Sequence, residues 1–193
     1  MISRFLSEDP LGIDGGNVNL YSYTTDAPSN FTDPDGKSLW PVHVAETYLG
    51  ALAAGDTSSD ALNLAIAVAN VDFQQGSQDT DAAAANGHAM AGTTNGWQYQ
   101  NPEQAYEGAQ SELLNNAMNG NDAAAIHAIQ DSNSSSHDYQ PWQPWNNILG
   151  HIGADLLPSI NAINQTALYL RERRYGFPFG FSHFLKPPMN GRY

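Results

Sequence analysis

His127, Asp131, His137, His151 and Asp155 follow one another as H-x3-D-x5-H-x13-H-x3-D within 29 positions. Imidazole nitrogen and carboxylate oxygen are donors that the borderline cation Zn2+ accepts. Residues four apart share one face of a helix, so His127 with Asp131, and His151 with Asp155, each aim two donors at one point. A single histidine is more often a surface or satisfied core residue than a ligand. Several of them with acidic partners at helical spacing read instead as a zinc cluster built on helices.

The elements that must hold these donors are mostly helical. From Trp40 onward the chain is alanine-rich, with periodic apolar runs broken by Gly, Asn and Ser clusters. The pattern predicts helices at about 40–54, 58–72, 102–118, 120–131, 145–157 and 158–174, and loops at 73–101 and 132–144. A loop of nearly 30 residues is unusual in a compact domain, which suggests functional work or folding onto metal. After Gly176 the aromatic, Pro-rich tail FPFGFSHFLKPPMNGRY has three readings: docked on the helices, lying in a cleft, or flexible. Its His183 is left out of the site.

Residues before about 36 follow a different grammar. Turns at Asp9-Pro10-Leu11-Gly12 and Asp33-Pro34-Asp35-Gly36 flank Asn19-Leu20-Tyr21-Ser22-Tyr23, whose alternation reads as a strand. A piece this small makes no core alone. The passage RFLSEDPLGIDGGNVNLYSYTTDAPSNFTDPDG, residues 4–36, resembles the carboxy-terminal end of the Rhs repeat core. That resemblance implies a β-rich Rhs-core segment over 1–39, part of a β-cage enclosing a polymorphic toxin, and a toxin domain over 40–193.

Composition narrows the function classes. The net charge is −13, with only seven Lys and Arg, which argues against a basic surface for nucleic acid or anionic membrane. Two or three bound Zn2+ would add about four to six positive charges at one cleft, enough to attract a phosphate locally. The absence of cysteine excludes thiolate zinc sites and disulfides. No apolar run approaches a membrane span, and MISRFLSEDP lacks the basic and hydrophobic regions of a signal peptide. A secreted or delivered effector would therefore need another carrier.

AIHAIQDSNSSSHDYQPW, followed by GHIGAD, resembles the zinc-dependent phospholipases C and the related fungal single-strand nucleases. The closing INAINQTALYLRERRYG is similar to the last helix of that superfamily. The phospholipase branch has the same spacings with Glu in the last place; the nuclease branch has Asp there but a longer gap before it. This resemblance implies an all-helical bundle with a trinuclear zinc site. His127 and Asp131 would bind the first zinc, Asp131 would bridge to another, and His137, His151 and Asp155 would hold the remaining ion. An upstream Asp and His complete the set, for which Asp72 and His88 are the candidates, with Asp79 and Asp81 competing for the role of Asp72. The superfamily also uses an amino-terminal Trp and a later His, here Trp40 and His43. Trp40 would serve through its amine once the bond after Leu39 is cut, and cleavage there would switch the enzyme on. The competing view makes Trp40 a core anchor and His43 a helix-face residue.

The expected chemistry is phosphodiester hydrolysis, with Asp72 as general base as well as ligand. The resemblance points first to a phospholipase C toxin acting on glycerophospholipid at a membrane surface, with a cognate immunity protein as partner. The alternative is a zinc nuclease toxin on single-stranded nucleic acid. Trp97, Tyr99, Tyr139, Trp142 and Trp145 could supply an apolar rim for the first or stacking platforms for the second. A helical binding module with a closed structural zinc is the third possibility.

Overall fold

The computed structural model describes residues 41–134, 137–143 and 157–188. The chain divides at Pro41/Val42, and the fold below is that of the second unit. The expected Rhs-core segment 1–39, Trp40, nearly all of the helix expected at 145–157, Trp145, His151 and Asp155 lie outside the described residues.

The described chain is mainly helical. In order it forms α1 (Pro41–Ala54), α2 (Ser58–Ala69) ending in a 3₁₀ turn (Asn70–Phe73), α3 (Ala82–Asn86), β1 (Thr93–Thr94), β2 (Gln98–Tyr99), α4 (Pro102–Met118), α5 (Asp122–Asn133) and α6 (Ile160–Arg173). Start signals are local. Thr57 accepts from the Asp60 N–H, Ser159 from the Ala162 N–H, and Asn101 and Gln104 form a reciprocal capping box with Pro102 opening the helix.

Helix α5 is central. Its residues from Ala125 to Ser132 are all buried, and it packs against α2, α4 and α6. Alanines at the contacts, among them Ala61, Ala65, Ala105, Ala109, Ala125 and Ala162, let the helices approach closely. At its first turn Asp122 accepts from the Tyr169 hydroxyl at 2.9 Å and pairs with Arg173, which fixes α5 against α6. The polar side chains of His127, Gln130 and Asp131 are thereby carried into the core, where each must find a partner.

Within 73–101, read from sequence as a loop, the structure contains α3 and the antiparallel pair β1–β2, with Thr93 opposite Tyr99. Asp81 caps α3 by accepting from the Ala83 and Ala84 N–H groups, and Asn95 and Gly96 turn the hairpin at φ 56° and 79°. These elements are too short to show a hydrophobic period, so pattern reading passes over them. The helix expected to run to 72 stops at Ala69, and the 3₁₀ turn redirects Asp72. The tail is docked: Phe184 and Leu185 are buried in the core, and the Tyr139 hydroxyl donates to the Lys186 carbonyl at 2.8 Å.

Candidate metal centre

Helix α5 supplies the base of the site. His127 and Asp131 stand one turn apart, and His127 Nε2 lies 3.1 Å from Asp131 Oδ2. His127 Nδ1 lies 3.1 Å from the carbonyl oxygen of Val68 in the last turn of α2. A carbonyl only accepts, so Nδ1 carries hydrogen and Nε2 faces the carboxylates.

Two further segments bring donors to the same point. The 3₁₀ turn after α2 carries Asp72, which is held by the Ser77 hydroxyl donating to its carbonyl and by Gln78 Nε2 donating to Oδ1. The turn after α3 carries His88, whose Nδ1 lies 3.0 Å from Asp131 Oδ2 and 3.5 Å from Asp72 Oδ1. Its neighbour Ala89 has φ 51°, a left-handed conformation uncommon outside glycine. Across from it, the Tyr139 N–H donates to Ala89 O, the Ala91 N–H to Gln140 O and the Trp142 N–H to Ala91 O. The segment of His88 and the segment of His137 are thus laced side by side.

Asp72 Oδ1, His88 Nδ1, His127 Nε2 and Asp131 Oδ2 form a compact donor set. His127 Nε2 is 3.0 Å from His88 Nδ1 and 3.3 Å from Asp72 Oδ1, so with the three distances above, five edges of this quartet span 3.0–3.5 Å. A tetrahedral ion with bonds of about 2.0–2.2 Å has ligand–ligand edges of roughly 3.3–3.6 Å. The triad His88 Nδ1, His127 Nε2 and Asp131 Oδ2, with edges of 3.0–3.1 Å, could hold a metal ion, and Asp72 Oδ1 stands 3.3–3.5 Å from its two imidazole nitrogens. Nitrogen and carboxylate donors suit several divalent first-row metals, zinc among them.

His43, from α1, faces the other oxygens. Its Nε2 lies 3.4 Å from Asp131 Oδ1 and 4.0 Å from Asp72 Oδ2, and its ring stacks on His127 with centroids 4.3 Å apart. Each carboxylate thus turns one oxygen to the His88/His127 pair and the other to His43. His137 Nε2 stands 3.7 Å from Asp131 Oδ2. Among the described residues, His43, Asp72 and His127 form one possible metal-holding group, and His88, His127 and Asp131 another. His127 has a single inward nitrogen, and its shorter contacts, to His88 and Asp131, assign it to the second group.

Electrostatics show how tightly the cluster is coupled. Burial alone would lower the pKa of His127, but Asp131 and Asp72 hold it well above the ordinary imidazole range. Burial would raise both carboxyls, but the surrounding imidazoles hold Asp72 and Asp131 below the ordinary carboxylate range. Without a cation, protons must screen the cluster. The same charge is what a divalent ion supplies.

The site opens on one side. His127 and Asp131 are sealed, whereas the Asp72 side chain is 33% exposed. Beyond Asp72, the carbonyl of Gln78 accepts from Trp142 Nε1, and the Trp142 carbonyl accepts from the Tyr99 hydroxyl. This chain of bonds ties Trp142 and Tyr99 to the Asp72 side of the site; Trp97, in the turn of the β1–β2 hairpin, is 91% exposed. Tyr139, grouped with these by sequence, is instead fully buried. Of the competitors of Asp72, Asp81 is occupied as a helix cap, and Asp79 joins neither group. His183 pairs with Glu172 at 2.9 Å. Gln130 had no sequence signal at all, yet its Oε1 lies 2.8 Å from His43 Nδ1.

No helix among the described residues is long and apolar enough to cross a membrane. No family model, curated protein or solved structure matches this chain.

Proposed function

We propose that the chain is a zinc-dependent phosphoric diester hydrolase, and specifically a phospholipase C toxin acting on membrane glycerophospholipids. The observation that carries this reading is the sharing of Asp72 and Asp131 between the His88/His127 pair and His43. Carboxylates that face two sets of nitrogens are suited to adjacent cations, the arrangement that phosphoryl hydrolysis uses. Bound divalent ions supply Lewis acidity toward a phosphoryl oxygen and make water more acidic.

The protein's own groups do the positioning. Asp131, sealed at the base, fixes the spacing between the two donor sets. Asp72, the most exposed of the cluster, accepts a hydrogen bond from the attacking water at the mouth and orients it. In this reading it also takes that water's proton as general base. His151, Asp155 and Trp40 join the cluster in this reading by their sequence spacing and by the resemblance alone. The Rhs cage, the cognate immunity protein, delivery into a target cell and activation by cleavage after Leu39 rest on the same footing.

The exposed Trp97 also supports a second reading, a single-strand nuclease that stacks bases on its rim. Net charge of −13 favours the lipid. Metal analysis by elemental mass spectrometry, followed by zinc-loaded assays on phosphatidylcholine vesicles and on single-stranded DNA, separates the two. Release of phosphocholine supports the first reading and cleavage of DNA the second. Stoichiometric metal with neither activity leaves a structural zinc module, and no metal at all sinks every hydrolase reading.

A further inference from the structure

We propose that Gln130 is a positioning residue that fixes the tautomer and rotation of His43, so that the cation place made by His43 Nε2, Asp131 Oδ1 and Asp72 Oδ2 depends on it. The inference rests on the metal reading above and extends it to a residue outside the donor set.

Gln130 lies on α5 beside Asp131 and is 2% exposed. All of its amide is engaged. Nε2 donates to Thr47 Oγ1 at 2.8 Å and to Thr166 Oγ1 at 3.2 Å, and Oε1 stands 2.8 Å from His43 Nδ1. With Nε2 turned to the two hydroxyl oxygens, the carbonyl end faces His43 and accepts Nδ1–H. That leaves the Nε2 lone pair aimed at the two carboxylates. An outer partner of this kind sets ring orientation and ligand basicity at metal histidines.

The network reaches three helices. Thr47 belongs to α1 and Thr166 to α6, and neither side chain is exposed. A Cβ on Gly50 would come within 2.8 Å of the Thr166 side chain, so α1 approaches α6 as closely as a glycine allows, one turn from Thr47. His127 has a separate support in the Val68 carbonyl of α2. The histidines of the two donor sets are therefore held by separate partners although the carboxylates are shared, and a change at Gln130 should act mainly on the one at His43.

The test compares Gln130→Met and Gln130→Glu with the unaltered full chain. Zinc is titrated against a competing chelator, and two-bond 15N–1H spectra report the hydrogen on the His43 ring. Methionine keeps the volume and removes both donor and acceptor; glutamate keeps an acceptor for Nδ1–H and can accept from both threonine hydroxyls. The expected result is that Q130M binds one zinc equivalent about 10- to 100-fold more weakly, the scale of outer-partner losses. It keeps the tighter equivalent and loses the His43 Nδ1–H signature, while Q130E recovers both. Wild-type titration in Q130M overturns the proposal, as does equal loss of every equivalent, which would mark a purely structural side chain. Q130E behaving like Q130M also overturns it. An unaltered chain that takes up no zinc sinks the metal reading instead. The His43 spectrum separates that failure, since it shows in the same samples whether Gln130 controls the ring.

Discussion

His127 and Val68 are joined by a 3.1 Å contact between the ring Nδ1 and the main-chain carbonyl, which turns the other ring nitrogen toward Asp131 and Asp72. Val68 lies in the last turn of α2, and its carbonyl also accepts from the Asn70 N–H. Replacing His127 by Ala removes a buried partner from that carbonyl and from each of the two carboxylates. The cation-free variant should lose on the order of 3–5 kcal/mol, the cost of breaking a buried charged pair. Urea unfolding in EDTA measures it, and zinc titration should show loss of the tight equivalent.

The pH dependence of the cation-free chain follows from the same cluster. Although burial opposes it, His127 is raised by Asp131 and Asp72, so its contribution is full below about 6.5 and is lost as pH rises through the raised value. Burial likewise opposes the lowering of Asp131 and Asp72 by the imidazoles; their contribution is present above about 3.8 and is lost as pH falls through the lowered values. Stability from the cluster should peak between those limits. Zinc requires unprotonated donors, so loading reverses the trend at higher pH. Melting in EDTA should fall from pH 6 to 9 while the gain in Tm on adding zinc grows. A gain that shrinks over that range would contradict the assignment.

Gly92 tests the lacing behind His88. A Cβ there would sit 2.3 Å from the Asp81 carbonyl oxygen, which is main chain and cannot swing away. Gly92→Ala should cost about 1–3 kcal/mol, the range of overpacked sites. It should also weaken zinc binding, because the Ala89–Gly92 segment, bonded to 139–142, aligns His88. A variant that melts and binds like the parent would show the contact to be easily relieved.

Phe184 tests the docked tail. Its ring is fully buried and meets Tyr169 with centroids 5.5 Å apart. Phe184→Ala should cost about 3–5 kcal/mol by chemical unfolding. A loss below about 0.5 kcal/mol would mean that the tail adds little to the core.

Trp97 tests the rim. At 91% exposure its replacement by Ala should change stability by less than about 0.5 kcal/mol and leave zinc content intact. Under the lipid reading, hydrolysis of phosphatidylcholine in vesicles should fall more than that of a soluble short-chain analogue. Equal effects on both would remove Trp97 from surface engagement.

Local order left clear traces in the chain. Helix α4 begins at the Asn101-Pro102 signal and ends where the pattern does, at Met118, because caps and periodicity are short-range. The pairing of His127 with Asp131 is equally legible, since helical geometry alone puts residues four apart on one face. Partners from elsewhere were less so. Asp72, Asp79 and Asp81 look alike in sequence, and only packing against α5 brings the first beside His88 and His127 while assigning the third to a cap. Gln130 carries no motif; its role appears only when α1 and α6 close around it at Gly50 and Thr166. The sequence by itself determined the long helices of the described chain and the kinds of donor they carry, through local backbone and side-chain preference. The tertiary fold alone decided which carboxylates are shared and how each imidazole is turned, because those depend on contacts between residues far apart in the chain.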